Sequence, residues 1–126
     1  MKKNVMVCVT QQKTCDRLIQ YGREFLGNED GELSIIHVAH YQFKFLGNTK
    51  EGEALDYLYE KALEYGASLT VVRSNHILDT LIDQVKKEHV DYVVIGESRE
   101  SDEESTIPAL LSRRLEGRAK LLIIPA

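Results

Sequence analysis

The chain has 126 residues, 43% of them hydrophobic and 29% charged, with a formal net charge of −4. That length builds one domain, spanning 1–126, and the apolar share excludes bulk disorder. No apolar run approaches the roughly 18 residues of a membrane span. The mild acidity disfavours wrapping of nucleic acid, which needs clustered Lys and Arg. Met1-Lys2-Lys3-Asn4 leads into a strand-like run without a small-residue cleavage site, so no secretory signal is expected. Cys8 and Cys15 are too few for a disulfide framework, so reduced thiols and a cytoplasmic protein are expected.

Val5-Met6-Val7-Cys8-Val9 is a continuous apolar run, the pattern of a strand buried on both faces. The polar turn Thr10-Gln11-Gln12-Lys13-Thr14 follows, with Thr14 placed to cap a helix. Cys15, Leu18, Ile19, Gly22, Phe25 and Leu26 then recur at three-and-four spacing, the apolar stripe of an amphipathic helix. A second strand reads over Leu33–Val38, and Leu55, Leu58, Tyr59, Ala62 and Tyr65 mark a second helix. Leu69–Val72 is the third strand. Ile77, Leu78, Leu81, Ile82 and Val85 mark the third helix, with Ser74 or Asn75 as its cap. Tyr92–Ile95 is the fourth strand. Leu110, Leu111 and Leu115 mark a shorter fourth helix, with Pro108 in its first turn, and Leu121–Ile124 is the last strand. Gly27, Gly66 and Gly117 follow three of the helices, where a left-handed cap is wanted.

This alternation, with no repeat and no linker, predicts a parallel sheet covered on both faces by right-handed crossovers. Ligands of such sheets bind outside the carboxyl ends of the strands, where strand order reverses. Function is therefore expected in the segments 10–14, 39–52, 73–76 and 96–106.

Several chemistries are excluded or weakened at once. Gly22-x4-Gly27 and Gly47-x4-Gly52 have P-loop glycine spacing, but Asn28-Glu29 and Glu53-Ala54 stand where Lys and Ser/Thr belong. The Gly-x-Gly-x-x-Gly dinucleotide fingerprint is absent. His37, His40, His76 and His89 form no metal-ligand spacing, and His37 on its strand reads as a hydrogen-bonded core residue. Cys15 fits the apolar stripe better than a nucleophile, since no Cys-x5-Arg loop exists. Arg113, Arg114, Arg118 and Lys120 bracket the end of the fourth helix, where cations favour its dipole. The first turn could hold an anion on its N–H groups and Lys13. The loop after the fourth strand, Gly96 to Thr106, carries Ser98, Arg99 and several hydroxyls. It is also strongly acidic, which disfavours a polyphosphate.

The segment Val7-Cys8-Val9-Thr10-Gln11-Gln12-Lys13-Thr14-Cys15-Asp16-Arg17-Leu18-Ile19 resembles the universal stress protein family, in the form found within the potassium-sensing histidine kinase KdpD. Gly31-Glu32-Leu33 with His37-Val38, Glu64-x-Gly66-Ala67, Arg73-Ser74, Gly96-x-Ser98-Arg99 and the run Leu121–Pro125 continue the likeness over nearly the whole chain. The resemblance implies a Rossmann-like three-layer α/β sandwich: five parallel strands in the order 3-2-1-4-5, helices on both faces. It also implies a homodimer through the last strand, Leu121–Ile124. Carried over to this chain, it places a nucleotide against Val9, Thr10, Gln11 and Val38, with phosphates at Gly96 and Ser98. At the same crevice Thr10, Gln11 and Gln12 would offer donors and acceptors, and Ser98 and Arg99 would contact a phosphate or carboxylate.

The chain departs from the Gly-x2-Gly-x9-Gly-Ser/Thr pattern of ATP-binding members: Arg99 takes the second glycine's place, and Ala109-Leu110 stand where Gly-Ser/Thr belongs. The ribose-binding acidic residue after the first strand is replaced by Thr10-Gln11, and the Phe-Thr-Ala-x-Tyr motif of cyclic-dinucleotide binders is missing. The expectation is a non-enzymatic regulatory module, without metal, that senses an adenine nucleotide or cyclic dinucleotide. It would signal to a protein partner, for example in a potassium-transport system. The alternative is a ligand-free interaction domain using the acidic loop 97–105. A weak ATP hydrolase is third.

Overall fold

A computed structural model describes residues 3–9, 12–28, 30–39, 49–96, 107–115 and 117–125. Strand β1 (Val5–Val9) leads to helix α1 (Gln12–Leu26), β2 (Leu33–Ala39), α2 (Thr49–Tyr65) and β3 (Ser68–Arg73). The second half comprises α3 (Ile77–Lys87), β4 (Tyr92–Gly96), α4 (Ile107–Leu115) and β5 (Lys120–Ile124). All pairings are parallel, in the order β3-β2-β1-β4-β5. The α/β class and the strand order are those expected.

β1 is buried along its whole length because it has a strand on each side and helices above and below. Val5, Val7 and Val9 pack with Leu18, Ile19 and Leu26 of α1 and Leu58 and Ala62 of α2. Met6 and Cys8 turn the other way, into Leu81, Ile82 and Val85 of α3 and Leu111 and Leu115 of α4. Alternate side chains of one strand thus enter two different cores, which is why its sequence shows no polar alternation. The edge strands β3 and β5 are only partly covered, and Val71 and Ile123 are exposed on them.

Gly22 sits inside α1, where glycine costs about 1 kcal/mol relative to alanine. Its reason is contact. A Cβ there would stand 2.7 Å from Val7 Cγ2 and 3.3 Å from Leu33 Cδ1, so the glycine lets α1 lie close on the sheet. Gly27 ends the same helix with φ at 58°, its N–H donating to the Arg23 carbonyl at 2.9 Å. The P-loop-like spacing of these two glycines therefore has a packing and capping origin. Gly66 and Gly117 take the same left-handed conformation after α2 and α4.

At the amino ends of the strands Asn4 ties three segments together. Its Oδ1 accepts the Glu32 N–H at 3.1 Å, its Nδ2 donates to the His89 carbonyl at 3.1 Å, and its own carbonyl accepts the N–H groups of Asp91 and Tyr92. Lys3 Nζ lies 3.8 Å over the Phe25 ring and donates to the Phe25 carbonyl, closing that end of the sheet.

The structure corrects four local expectations. α1 begins at Gln12, so Thr14 lies inside the helix, Gln and Lys before it being good helix formers. The cap of α3 is His76, without a side-chain capping bond; Ser74 Oγ instead accepts the His76 N–H at 2.9 Å, just ahead of the helix. Tyr59 and Leu110 belong to the predicted stripes but are 59% and 41% exposed. Three-and-four spacing admits flanking positions that a helix covered on one side leaves in solvent.

Candidate functional site

From β1 the chain winds outward through β2 to β3, then returns to the other side of β1 for β4 and β5. The strand order reverses between β1 and β4, and a crevice at their carboxyl ends is where this fold class places ligands. Val9 ends β1, Val38 lies next to the end of β2, and Gly96 ends β4, so three of the predicted site residues meet at this edge of the sheet. Gln12 opens α1 beside it. Thr10, Gln11, Ser98 and Arg99, and the acidic stretch 97–105, lie outside the described residues.

The three placed residues differ in what they present. Val9 shares the α1–α2 core and Val38 the α3–α4 core, both buried, so their contribution at the edge is backbone. A Cβ at Gly96 would meet Leu18 Cδ1 at 3.5 Å and Cδ2 at 3.7 Å, an ordinary contact. The fold itself therefore tolerates alanine at this position, unlike at Gly22.

His37 was read from sequence as a hydrogen-bonded core residue, and the hydrogen bond is present: Nδ1 lies 2.9 Å from the Val9 carbonyl oxygen. It is only half-buried, however, and its partner is the last residue of β1, which brings it to the crevice. The signal that could have found it is its position late in the second strand, alongside the end of the first. Arg73 closes β3 opposite Ala39, and Arg17 of α1 donates to the Pro125 carbonyl just past β5, so cations stand at both flanks of this edge.

Other candidates are accounted for locally. Cys8 is buried and its thiol is pushed up from 9.0 to about 12 by desolvation, which makes it an inert core residue. Arg114, in the last turn of α4, pairs with Asp79 of α3 at 2.6 Å, in keeping with a structural reading of the basic cluster. Lys61 of α2 bridges Glu64 at 3.2 Å and Asp16 of α1 at 3.4 Å. The hydrogen bond to Glu64, helped by the charge of Asp16, raises its ammonium above the ordinary value. Among the described residues no group of three or more His, Cys, Asp or Glu could hold a metal ion, and no helix is long and apolar enough to cross a membrane.

No protein-family model and no curated protein matches the sequence. Solved structures do match in fold. A universal stress protein in complex with cAMP superposes with a TM-score of 0.69 at 16% identity, over 97% of this chain and 96% of that one. A protein of the universal stress protein family from Burkholderia pseudomallei gives 0.69 at 16% identity, over 98% and 96%. The Archaeoglobus fulgidus universal stress protein in complex with dAMP gives 0.66 at 14% identity, over 98% of each chain. At such identities the likeness is one of fold, over nearly the whole of this chain.

Proposed function

We propose that this chain is a universal-stress-protein-type module, akin to the domain of KdpD kinases, that binds a small ligand in the β1/β4 crevice and reports its presence to a partner protein. The observation that carries the proposal is the convergence of Val9, Val38, Gly96 and the start of α1 at the reversal of strand order. An adenine nucleotide is the ligand class that solved neighbours support, two of them being complexes with cAMP and dAMP; a cyclic dinucleotide is the second candidate, from the resemblance to KdpD-type domains. In this reading Thr10, Gln11 and Gln12 supply donors and acceptors to base and ribose. Ser98 and Arg99 hold phosphate, and Gly96 leaves room for it. The role is regulatory, not catalytic, and the compartment is the cytoplasm.

A homodimer through Leu121–Ile124 completes the proposal. Among the described residues β5 has a neighbouring strand on one side only, and Ile123 on it is 46% exposed, an apolar contact available to a second copy. The partner would be a signalling or potassium-transport protein.

Calorimetric titration with AMP, ATP and cyclic di-AMP tests the site. Gly96→Ala should fold normally and bind nearly as wild type, whereas Gly96→Leu, Gln11→Ala and Arg99→Ala should each weaken binding. Unchanged affinity in all three would show that the site is misplaced. If no compound binds at all, the interaction-domain reading gains, and charge reversal within 97–105 is its test.

A further inference from the structure

Three exposed apolar side chains gather at one edge of the sheet. β3 ends the strand order, so its outer side meets no strand among the described residues. Leu69 of β3 packs into the α1–α2 core, and Val71, two residues on, points to the same face yet is 40% exposed. On that face α1 lies over β1 and β4, and α2 lies over β3. Leu58 and Ala62 of α2 turn inward, and Lys61 reaches sideways to Asp16 of α1. Tyr59 and Leu63 therefore occupy the opposite flank of the helix, looking past β3, and are 59% and 66% exposed.

The rim of this patch is acidic. Asp56 and Glu60, both exposed, stand three residues before Tyr59 and Leu63, which makes them neighbours on the helix surface. The last turn of α2 carries no basic residue, and Arg73, which ends β3, is half-buried. An isologous contact with a second copy would set one acidic rim against the other. Anionic lipid and nucleic acid would be repelled in the same way. The charge that complements this rim is positive and belongs to a different polypeptide.

We propose that the α2–β3 edge docks the module's partner protein, and that the partner offers an extended segment with apolar and basic residues alternating along one face. Laid beside β3, such a segment pairs its backbone with the open edge. Its apolar side chains cover Val71, Tyr59 and Leu63, and its Lys or Arg residues meet Asp56 and Glu60. The inference rests on the partner half of the reading above and draws nothing from the ligand half. A dimer through β5 would leave this edge outermost on both copies.

Amide chemical shifts of the isotope-labelled full chain are followed against two synthetic peptides, Val-Thr-Lys-Thr-Val-Thr-Lys-Thr-Val and its counterpart with Glu for Lys. Alternate positions of an extended peptide share a face, so each peptide presents apolar and charged side chains together. The Lys peptide should shift signals across 59–63 and 68–73 at concentrations below about 1 mM, and the Glu peptide should bind about tenfold more weakly. Tyr59→Gln with Leu63→Gln keeps helix propensity and net charge, and should weaken the Lys peptide about tenfold at an unchanged melting point. Asp56→Lys with Glu60→Lys should reverse the preference between the peptides. Absence of shifts, shifts centred on β5, equal binding of both peptides, or full affinity in the Gln variant overturns the docking surface. Sedimentation in which wild type self-associates and the Gln variant does not would give the patch to a second copy and overturns it too. If the Lys peptide binds at this edge while no nucleotide binds the chain, the docking surface stands and the ligand reading fails. Nucleotide binding without peptide binding keeps the crevice and removes the docking surface.

Discussion

Gly22→Ala tests how closely α1 must lie on the sheet. The new Cβ would stand 2.7 Å from Val7 Cγ2, well inside the 3.4 Å at which ordinary contact begins. Val7 cannot give way easily: it is fully buried, and its branched Cβ leaves it little rotamer choice. Overpacking of this kind costs about 1–3 kcal/mol, while the gain in helix propensity returns about 1 kcal/mol. The expected net loss is about 0–2 kcal/mol, or a melting point lower by up to several degrees in a chain of this size. Urea unfolding of Gly22→Ala, Val7→Ala and the double variant measures it directly. The two losses should fall short of additive by about 1 kcal/mol, since Val7→Ala removes the methyl that the new Cβ strikes. Stabilisation by a bound nucleotide should be the same in Gly22→Ala as in wild type. A variant about 1 kcal/mol more stable than wild type, or losses that add fully with Val7→Ala, would refute the packing account, and loss of nucleotide stabilisation alone would return the glycine to a phosphate role.

Three further outcomes follow from local geometry. Burial pushes the Cys8 thiol from 9.0 up to about 12, so the folded state keeps a proton that the unfolded chain begins to release near pH 9. The stability of wild type relative to Cys8→Ala should thus be constant below about pH 8 and shrink above pH 9, by at most about 1.4 kcal/mol per unit; a flat difference up to pH 10.5 would contradict this. Asn4→Ala removes the side-chain bonds to Glu32 and His89 and should cost about 1–2 kcal/mol, with faster amide exchange at Glu32 as its local mark. Asp79→Asn breaks an exposed pair with Arg114 and should cost less than about 1 kcal/mol, falling toward zero in high salt.

Much of the fold was legible because its central strands are apolar on both faces. The run Val5–Val9 and the stripe Leu81, Ile82, Val85 announce themselves through period alone. Strand order is different in kind. Parallel crossovers of similar length are compatible with several orders, and the order came from family resemblance before the ladders displayed it. Contacts far apart in sequence were invisible. The bonds of Asn4 reach 28 and 85 residues along the chain, and no local pattern marks a residue for such a role. The candidate site was legible in its strand ends, Val9, Val38 and Gly96, which polar turns follow in sequence. His37 was read correctly as hydrogen-bonded, but its place at the crevice depends on register, which side-chain period does not encode.

Thermal unfolding of the purified chain against ATP, ADP, AMP, cAMP, NAD and cyclic di-AMP, with and without magnesium, tests the central claim most directly. A ligand present at about 100 times its dissociation constant adds about 2.7 kcal/mol of stability, which raises the melting point by several degrees. The ligand-sensing account predicts such a shift with an adenine nucleotide or a cyclic dinucleotide, reduced in Gly96→Leu. Superimposable curves for every compound would contradict it.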